Sequence, residues 1–202
     1  MSNKAFQRLE VTVRREQLLE VGCELFASRP YDEVWIDHVA VHAGVSRGLL
    51  YHYFGNKRGF LHAIVEHETA AILAATEPDP RLPPLQRLRA ALDAYLDYVI
   101  THPHGYRAIF RGAASTDSQV RAIIDANLHR QERRILTALT DKQPPDETLR
   151  LAIHGWIALV IATALDWLEN PTLDAPAIRD LCINSLTGIL TAGNHPLPVA
   201  PP

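Results

Sequence analysis

The chain has 202 residues, 47% of them apolar and 21% charged, with a formal net charge of −3. It is long enough for one or two packed domains, its composition is that of an ordinary globular protein, and its charge argues against a uniformly basic nucleic-acid binder. Residues 1–62 hold eight Lys and Arg against seven acids, leaving twelve against sixteen beyond. Any basic face must therefore come from the placement of a few side chains.

Met1 to Glu10 is polar and charged, without the apolar segment of a secretory signal, so a cytoplasmic location is expected. Apolar positions Leu18, Leu19, Val21, Cys23, Leu25 and Phe26 predict an amphipathic helix over Val13 to Ala27, broken at Arg29-Pro30-Tyr31-Asp32. A short helix from Ile36 to His42 follows, then a turn at Gly44-Val45-Ser46. The next helix spans Arg47 to Phe54 with Ser46 as its cap. Gly55-Asn56 breaks the chain again, and Asn56 can cap a long helix from Lys57 to Thr76. Further helices are expected over Leu85 to Thr101, from beyond Gly105 through Arg111, over Asp117 to Thr140, Asp146 to Glu169 and Ala175 to Ala192. The segment Gly193 to Pro202 carries four prolines and reads as a disordered tail. The longest apolar stretch, Trp156 to Leu165, is shorter than a membrane span, and no membrane partner is expected. The fold class is all-α: a three-helix helix-turn-helix domain over residues 1–58, then a larger helical domain over 59–192. Cys23 and Cys182 lack CxxC spacing and sit in apolar helical patterns, so both read as buried, reduced thiols.

The stretch Asp37 to Phe54 carries the functional argument. Two short helices must cross tightly there. Ala40 is small at the crossing, Gly44 supplies a turn residue free to take positive φ, and Val39, Val45 and Leu50 can fill the space between the helices. The second helix then presents Ser46, Arg47, Gly48 and Leu49 from its N-terminal half to a DNA groove, and Gly48 would let the backbone come close.

With Phe26, Tyr31, Val39-Ala40, Ala43-Gly44-Val45-Ser46, Gly48, Leu50-Tyr51, Tyr53-Phe54 and Lys57 in place, the segment Arg14 to Leu61 resembles the TetR family of transcriptional regulators. The resemblance implies that Arg47, Gly48, Leu49 and His52 read or pack on base edges. It also implies that Tyr51 and Lys57 meet phosphate, with Ser46 both cap and phosphate donor. Trp35 departs from the family pattern, which has Ser or Thr before the second helix to cap it and touch phosphate. An indole cannot accept the capping bond, although its N–H can donate to phosphate, and the alternative is that Trp35 packs on the first helix or is partly exposed. Pro30 stands where glycine is common.

A single recognition helix reads few base pairs, and a dimer places two of them about 34–36 Å apart or a multiple of that. The helix Asp146 to Glu169 is apolar on almost every face, so one side wants a partner. Its Ile157, Ile161, Ala164, Leu165, Trp167 and Leu168, with Leu186 and Ile189 of the last helix, are the candidate dimer interface, forming a four-helix bundle across a two-fold axis. Tyr98, His102, Tyr106, Phe110, His154 and Trp156 are the candidate lining of a pocket for a mostly apolar small effector. The expected partners are thus double-stranded DNA, a second copy of the chain and an unknown small molecule, with no cofactor.

Ten histidines invite a search for catalysis or metal. There is no HExxH, no His/Cys cluster with zinc spacing, no GxSxG and no P-loop, so no enzyme is expected. The rival readings are a metal-sensing regulator using His102, His104 and a residue such as His129, and a helical interaction module that does not bind DNA.

Overall fold

The computed structural model describes residues 2–29, 33–111, 117–140 and 144–195, with side chains from residue 11 onward. Those residues form helices α1 (Ser2–Ser28), α2 (Ile36–His42), α3 (Arg47–Phe54), α4 (Lys57–Ala75), α5 (Pro84–Thr101), α6 (Pro103–Phe110), α7 (Ser118–Leu139), α8 (Glu147–Glu169) and α9 (Ala175–Ala192), with no strand among them. The expected helices from α2 onward agree with these to within about two residues at the ends the sequence reading named. Helix α1 begins eleven residues before Val13. The expected break at Pro30, Tyr31 and Asp32, and most of the expected tail, lie outside the described residues.

The chain forms two compact units: Met1–Ala71 with His104–Ile124, and Ile72–Pro103 with Asp125–Pro202. The core of the first holds Leu18, Leu19 and Phe26 of α1, Val39 and Ala40 of α2, Leu50 and Phe54 of α3, and Phe60 and Ile64 of α4. Gly22 lets α1 lie against α4, since a Cβ there would stand 2.5 Å from Phe60 Cζ and from Ile64 Cδ1. Phe60 packs on Phe54 at 4.6 Å between ring centroids and on Phe26 at 6.2 Å. Gly105 of α6 leaves room in the same way for the buried carboxylate of Glu68 on α4. The Cys23 thiol donates to Glu68 Oε1 at 3.5 Å. Burial first, and then the Glu68 charge, push the Cys23 thiol far up. Burial raises Cys182 to about 11. Both cysteines are free and buried, as expected, and stay protonated thiols at neutral pH.

In the second unit α5, α8 and α9 pack around Leu96, Ile153, Trp156, Ile178, Cys182 and Leu190. The Trp156 indole N–H donates to Cys182 O at 2.8 Å, and that of Trp167 to Leu173 O at 2.7 Å, so both indoles are satisfied within the chain. Asp146 and Asp174 cap α8 and α9 through Leu149 N and Ala177 N. Two residues of the expected dimer interface need correction. Leu186 and Ala164 are fully enclosed in the chain's own structure and have no surface left for a partner. By length and composition α8 is also apolar enough to cross a membrane, a test that core helices pass as well, so it does not contradict the sequence reading. Its flanking Ala, Ile and Leu residues extend the apolar run, while Trp156, Val160 and Trp167 lie in the core.

Asp117 ties the start of α7 to α4. Arg58 Nε and Nη2 donate to its two carboxylate oxygens at 2.6 and 3.1 Å. Its Oδ1 also accepts from Gln119 N at 2.8 Å, capping α7. Arg58 holds the Asp117 carboxyl well below the usual carboxylate range. A depressed folded-state value means the ion pair stabilises the fold above the unfolded-state value, about 3.9, and the contribution fades as pH falls below it. Asp117→Asn keeps a capping oxygen but loses the charge. Its thermal midpoint should fall below that of the parent at pH 7, and the gap should narrow below about pH 4. A gap that stays constant down to pH 2.5 would assign the loss to something other than the Arg58 pair.

Candidate nucleic-acid interface

Helices of seven and eight residues are too short to persist alone, so α2 and α3 owe their form to caps and packing. Gly44 turns the chain between them at φ 63°. Val45 N then donates to Ala40 O at 3.0 Å, closing the turn. Ser46 Oγ accepts from Leu49 N at 3.3 Å, the cap expected from the sequence. After α3, Gly55 turns the chain at φ 74°, and Asn56 Oδ1 caps α4 through Gly59 N at 2.8 Å. These turns fix the start of α3 and the start of α4 on the surface of the first unit.

The predicted DNA-binding residues gather there. Arg47 lies on α3, Nε 3.1 Å from Asp37 Oδ1 and Nη2 3.3 Å from the Tyr51 hydroxyl, with its guanidinium over the Tyr51 ring at 5.4 Å. Trp35 is 62% exposed and makes no side-chain cap for α2. Asp37 in the first turn offsets that loss by placing a negative charge at the positive end of the helix. Lys57 Nζ sits above the Trp35 ring at 5.8 Å. Trp35 is thus exposed, which leaves its indole N–H open to phosphate. A Cβ at Gly48 would meet only Ser46 Oγ, at 4.0 Å, so the face beside Arg47 is bare helix. Tyr51 and His52 are exposed, and Leu49 is half-buried. Arg47, Tyr51, Trp35 and Lys57 together offer guanidinium, hydroxyl, indole and ammonium donors on one open surface, the mixture that meets phosphates and base edges.

Sequence reasoning missed that Arg47 is already held by Asp37 and Tyr51. The ten-residue separation of Asp37 and Arg47 shows no helical spacing, and only the turn brings them together.

The candidate effector residues are shared between the two units. Tyr106 and Phe110 lie in the first unit, ring centroids 4.9 Å apart, with Tyr106 wholly buried. Tyr98 and His102 stack at 4.4 Å in the second unit, where Trp156 is core. Tyr106 and Trp156 have essentially no surface open to a water-sized cavity, so neither lines one in this conformation. His154 is largely exposed, its Nδ1 3.4 Å from the buried carboxylate of Glu132. The metal-sensor alternative also needs correction. No group of three His, Cys, Asp or Glu able to hold a metal exists among the described residues. His102 Nδ1 is engaged with Thr101 Oγ1 at 2.9 Å, and His129 Nδ1 with Asp125 O at 2.7 Å.

Residues 18–64 match the family model for bacterial regulatory proteins of the tetR family, and residues 84–188 match a tetracyclin repressor-like C-terminal domain. The chain is 28% identical over 204 residues to the HTH-type transcriptional activator FasR of Mycolicibacterium smegmatis, covering 98% of this chain and 90% of that one. It is 27% identical to the transcriptional repressor KstR of Rhodococcus jostii, covering 87% and 83% of the two chains. The crystal structure of a tetR-family regulator from Streptomyces coelicolor superposes with a TM-score of 0.78 at 30% identity, over 90% of this chain and 82% of that one. The surface and fold are those of a helix-turn-helix DNA-binding protein. The chain belongs to the TetR family of transcriptional regulators.

Because Asp37 occupies Arg47 and adds a negative charge beside the donors, Asp37→Asn should tighten binding to random duplex DNA by about 2–5-fold, the worth of an exposed ion pair. Fluorescence anisotropy at fixed salt measures this. Unchanged or weaker binding would show that Asp37 orients Arg47 rather than competing for it.

Proposed function

We propose that the protein binds a palindromic operator as a homodimer, represses transcription there, and is released by a small-molecule effector. In this reading residues 1–58 are the DNA-binding domain, residues 59–192 sense and dimerise, and the protein works in the cytoplasm, where the DNA is. The observation that carries the reading is the exposed cluster of Arg47, Tyr51, Trp35 and Lys57 around a correctly capped helix-turn-helix. Arg47 and His52 are the base readers, since Gly48 and Leu49 have no hydrogen-bonding side chain. Tyr51, Ser46, Trp35 and Lys57 contact phosphate.

Dimerisation is supported by α8. Its Leu151, Gly155, Ala158 and Ala162 are exposed and follow one another at helical spacing, while Leu181 and Gly188 are exposed on α9. An apolar helix with such an open stripe wants a second copy against it. Ile157, Ile161, Leu165, Leu168 and Ile189 are half-buried and flank that stripe, so they remain candidates for the contact. Repression is supported by the relative KstR, named a repressor, although FasR is named an activator. The effector acts by binding one conformation of the dimer better than the other, typically by about 1–3 kcal/mol. Nothing in the sequence or the described residues calls for catalysis.

Selection of bound sequences from random duplex DNA at moderate salt tests the whole reading. An enriched inverted repeat is expected. No enrichment from folded, dimeric protein would leave the helix-turn-helix as a structural element and favour the interaction module. On the selected operator, Arg47→Ala should relax preference at one base pair per half-site by about 1–3 kcal/mol. Equal weakening on all sequences would assign Arg47 to phosphate alone.

A further inference from the structure

A cleft of about 730 Å³ opens in the second unit, where the end of α4 and the following loop meet the start of α5 and the second half of α7. Among the described residues its lining includes four arginines and no carboxylate: Arg87 of α5 and Arg130, Arg133 and Arg134 of α7, with Leu73 and Pro84 among the apolar wall. Like charges gather at a cost, so four guanidinium groups around one cleft call for an anion.

The four are not equivalent. Arg87 is anchored, its Nη2 donating to Pro80 O and Leu82 O at 3.0 Å each. Its Nε is enclosed and has no hydrogen-bond partner among the described residues. Arg87 therefore forms part of the cleft's fixed wall and does not extend a free donor into it. Arg134 donates through Nη1 to Leu73 O at 2.8 Å, at the end of α4, and pairs through Nη2 with Glu77. Arg130 and Arg133 are exposed and form no hydrogen bond or ion pair with the described residues. Glu77 thus balances Arg134 and the Asp79 carboxylate acts on Arg87, which leaves the exposed Arg130 and Arg133 without an acidic partner among the described residues.

We propose that this cleft binds a small oligophosphate, either free or as part of a nucleotide-like molecule. A planar guanidinium pairs with phosphate through two parallel hydrogen bonds, and Arg130 and Arg133, beside the partnered Arg87 and Arg134, match the charge of a diphosphate group better than that of one carboxylate. The volume lies within the range of small-ligand sites, and Leu73 and Pro84 offer apolar surface to the remainder of a larger molecule. An incoming phosphate also competes with Glu77 for Arg134. It therefore acts on the contact that holds the last turn of α4, which is how occupancy would be felt by the protein. That regulatory consequence rests on the repressor reading above; the binding site does not.

The test is calorimetric titration of the full-length protein, without DNA, in 0.15 M NaCl, using sodium pyrophosphate and ATP in separate runs. Both should bind saturably at one site per chain. The double variant Arg130→Ala/Arg133→Ala changes only exposed side chains and should weaken both by at least about tenfold. Tighter binding of ATP than of pyrophosphate would show that the apolar wall contributes, and equal binding that the phosphates suffice; either supports the site. Absence of saturable binding, or binding indifferent to the double variant, overturns it. So does a titration with random duplex DNA in which the double variant loses most of its DNA affinity, since the arginines would then belong to a nucleic-acid surface. Because no operator is used, failure to select one leaves this outcome readable.

Discussion

The packing of α1 against α4 is the constraint on which the DNA-facing surface depends. Helices α2 and α3 are two turns each and cannot persist alone. What holds them is a wall made by the two longer helices, and that wall exists because Gly22 lets the Phe60 ring and Ile64 come up against the α1 backbone. Phe60 then meets Phe54 at the end of α3 and Phe26 at the end of α1, so one ring joins three helices. Burying aromatic rings of this size contributes far more than the caps at Ser46 and Asn56. The caps decide where α3 and α4 begin, and the aromatic packing decides that they exist. The placement of Arg47 and Lys57 follows from both.

The surface so built is held in a state suited to reversible contact. Arg47 is tied to Asp37 and Tyr51, yet both partners are well exposed and the ion pair is of the kind worth little in water. Phosphate can replace Asp37 without unfolding anything. Lys57 over Trp35 is similar, because a cation resting on an exposed ring has its stem ordered before DNA arrives. Preorganisation of this sort lowers the entropy lost when long side chains are fixed on DNA.

Much of this was legible in the sequence. Apolar spacing and turn residues marked the helices, and Gly44, Ser46, Gly55 and Asn56 all serve in the structure as their chemistry suggested. What could not be read were contacts whose partners lie on different elements. Asp37 meets Arg47 only because of the turn, and Lys57 meets Trp35 only because α2 and α3 bring the chain back on itself. Leu186 and Ala164 looked available for a partner because helical spacing names a face without saying what covers it, and here the chain covers them itself. The proposed effector residues were chosen for aromatic and polar character, a criterion that core residues such as Tyr106 and Trp156 also meet. The arginine cleft had a visible trace in Arg130, Arg133 and Arg134. A basic run on a helix ordinarily reads as a solvated face, and only the approach of Arg87 and the end of α4 makes it a cleft.

Helix α8 illustrates how composition and burial part company. Its most apolar 18-residue window has a mean hydropathy of 1.7, yet only 28% of that window is buried within the single chain. Trp156 and Trp167 face inward and spend their N–H groups on carbonyls of the same unit. The outward side carries Gly155, Ala158 and Ala162, whose small side chains permit close approach of another helix and give little reason for contact with water. The inward side is specified by polar groups that must be satisfied, whereas the outward side has no such demands and is free to meet an identical surface. A helix divided in this way is stable at its inner face before any partner arrives, so assembly can follow folding rather than being required for it.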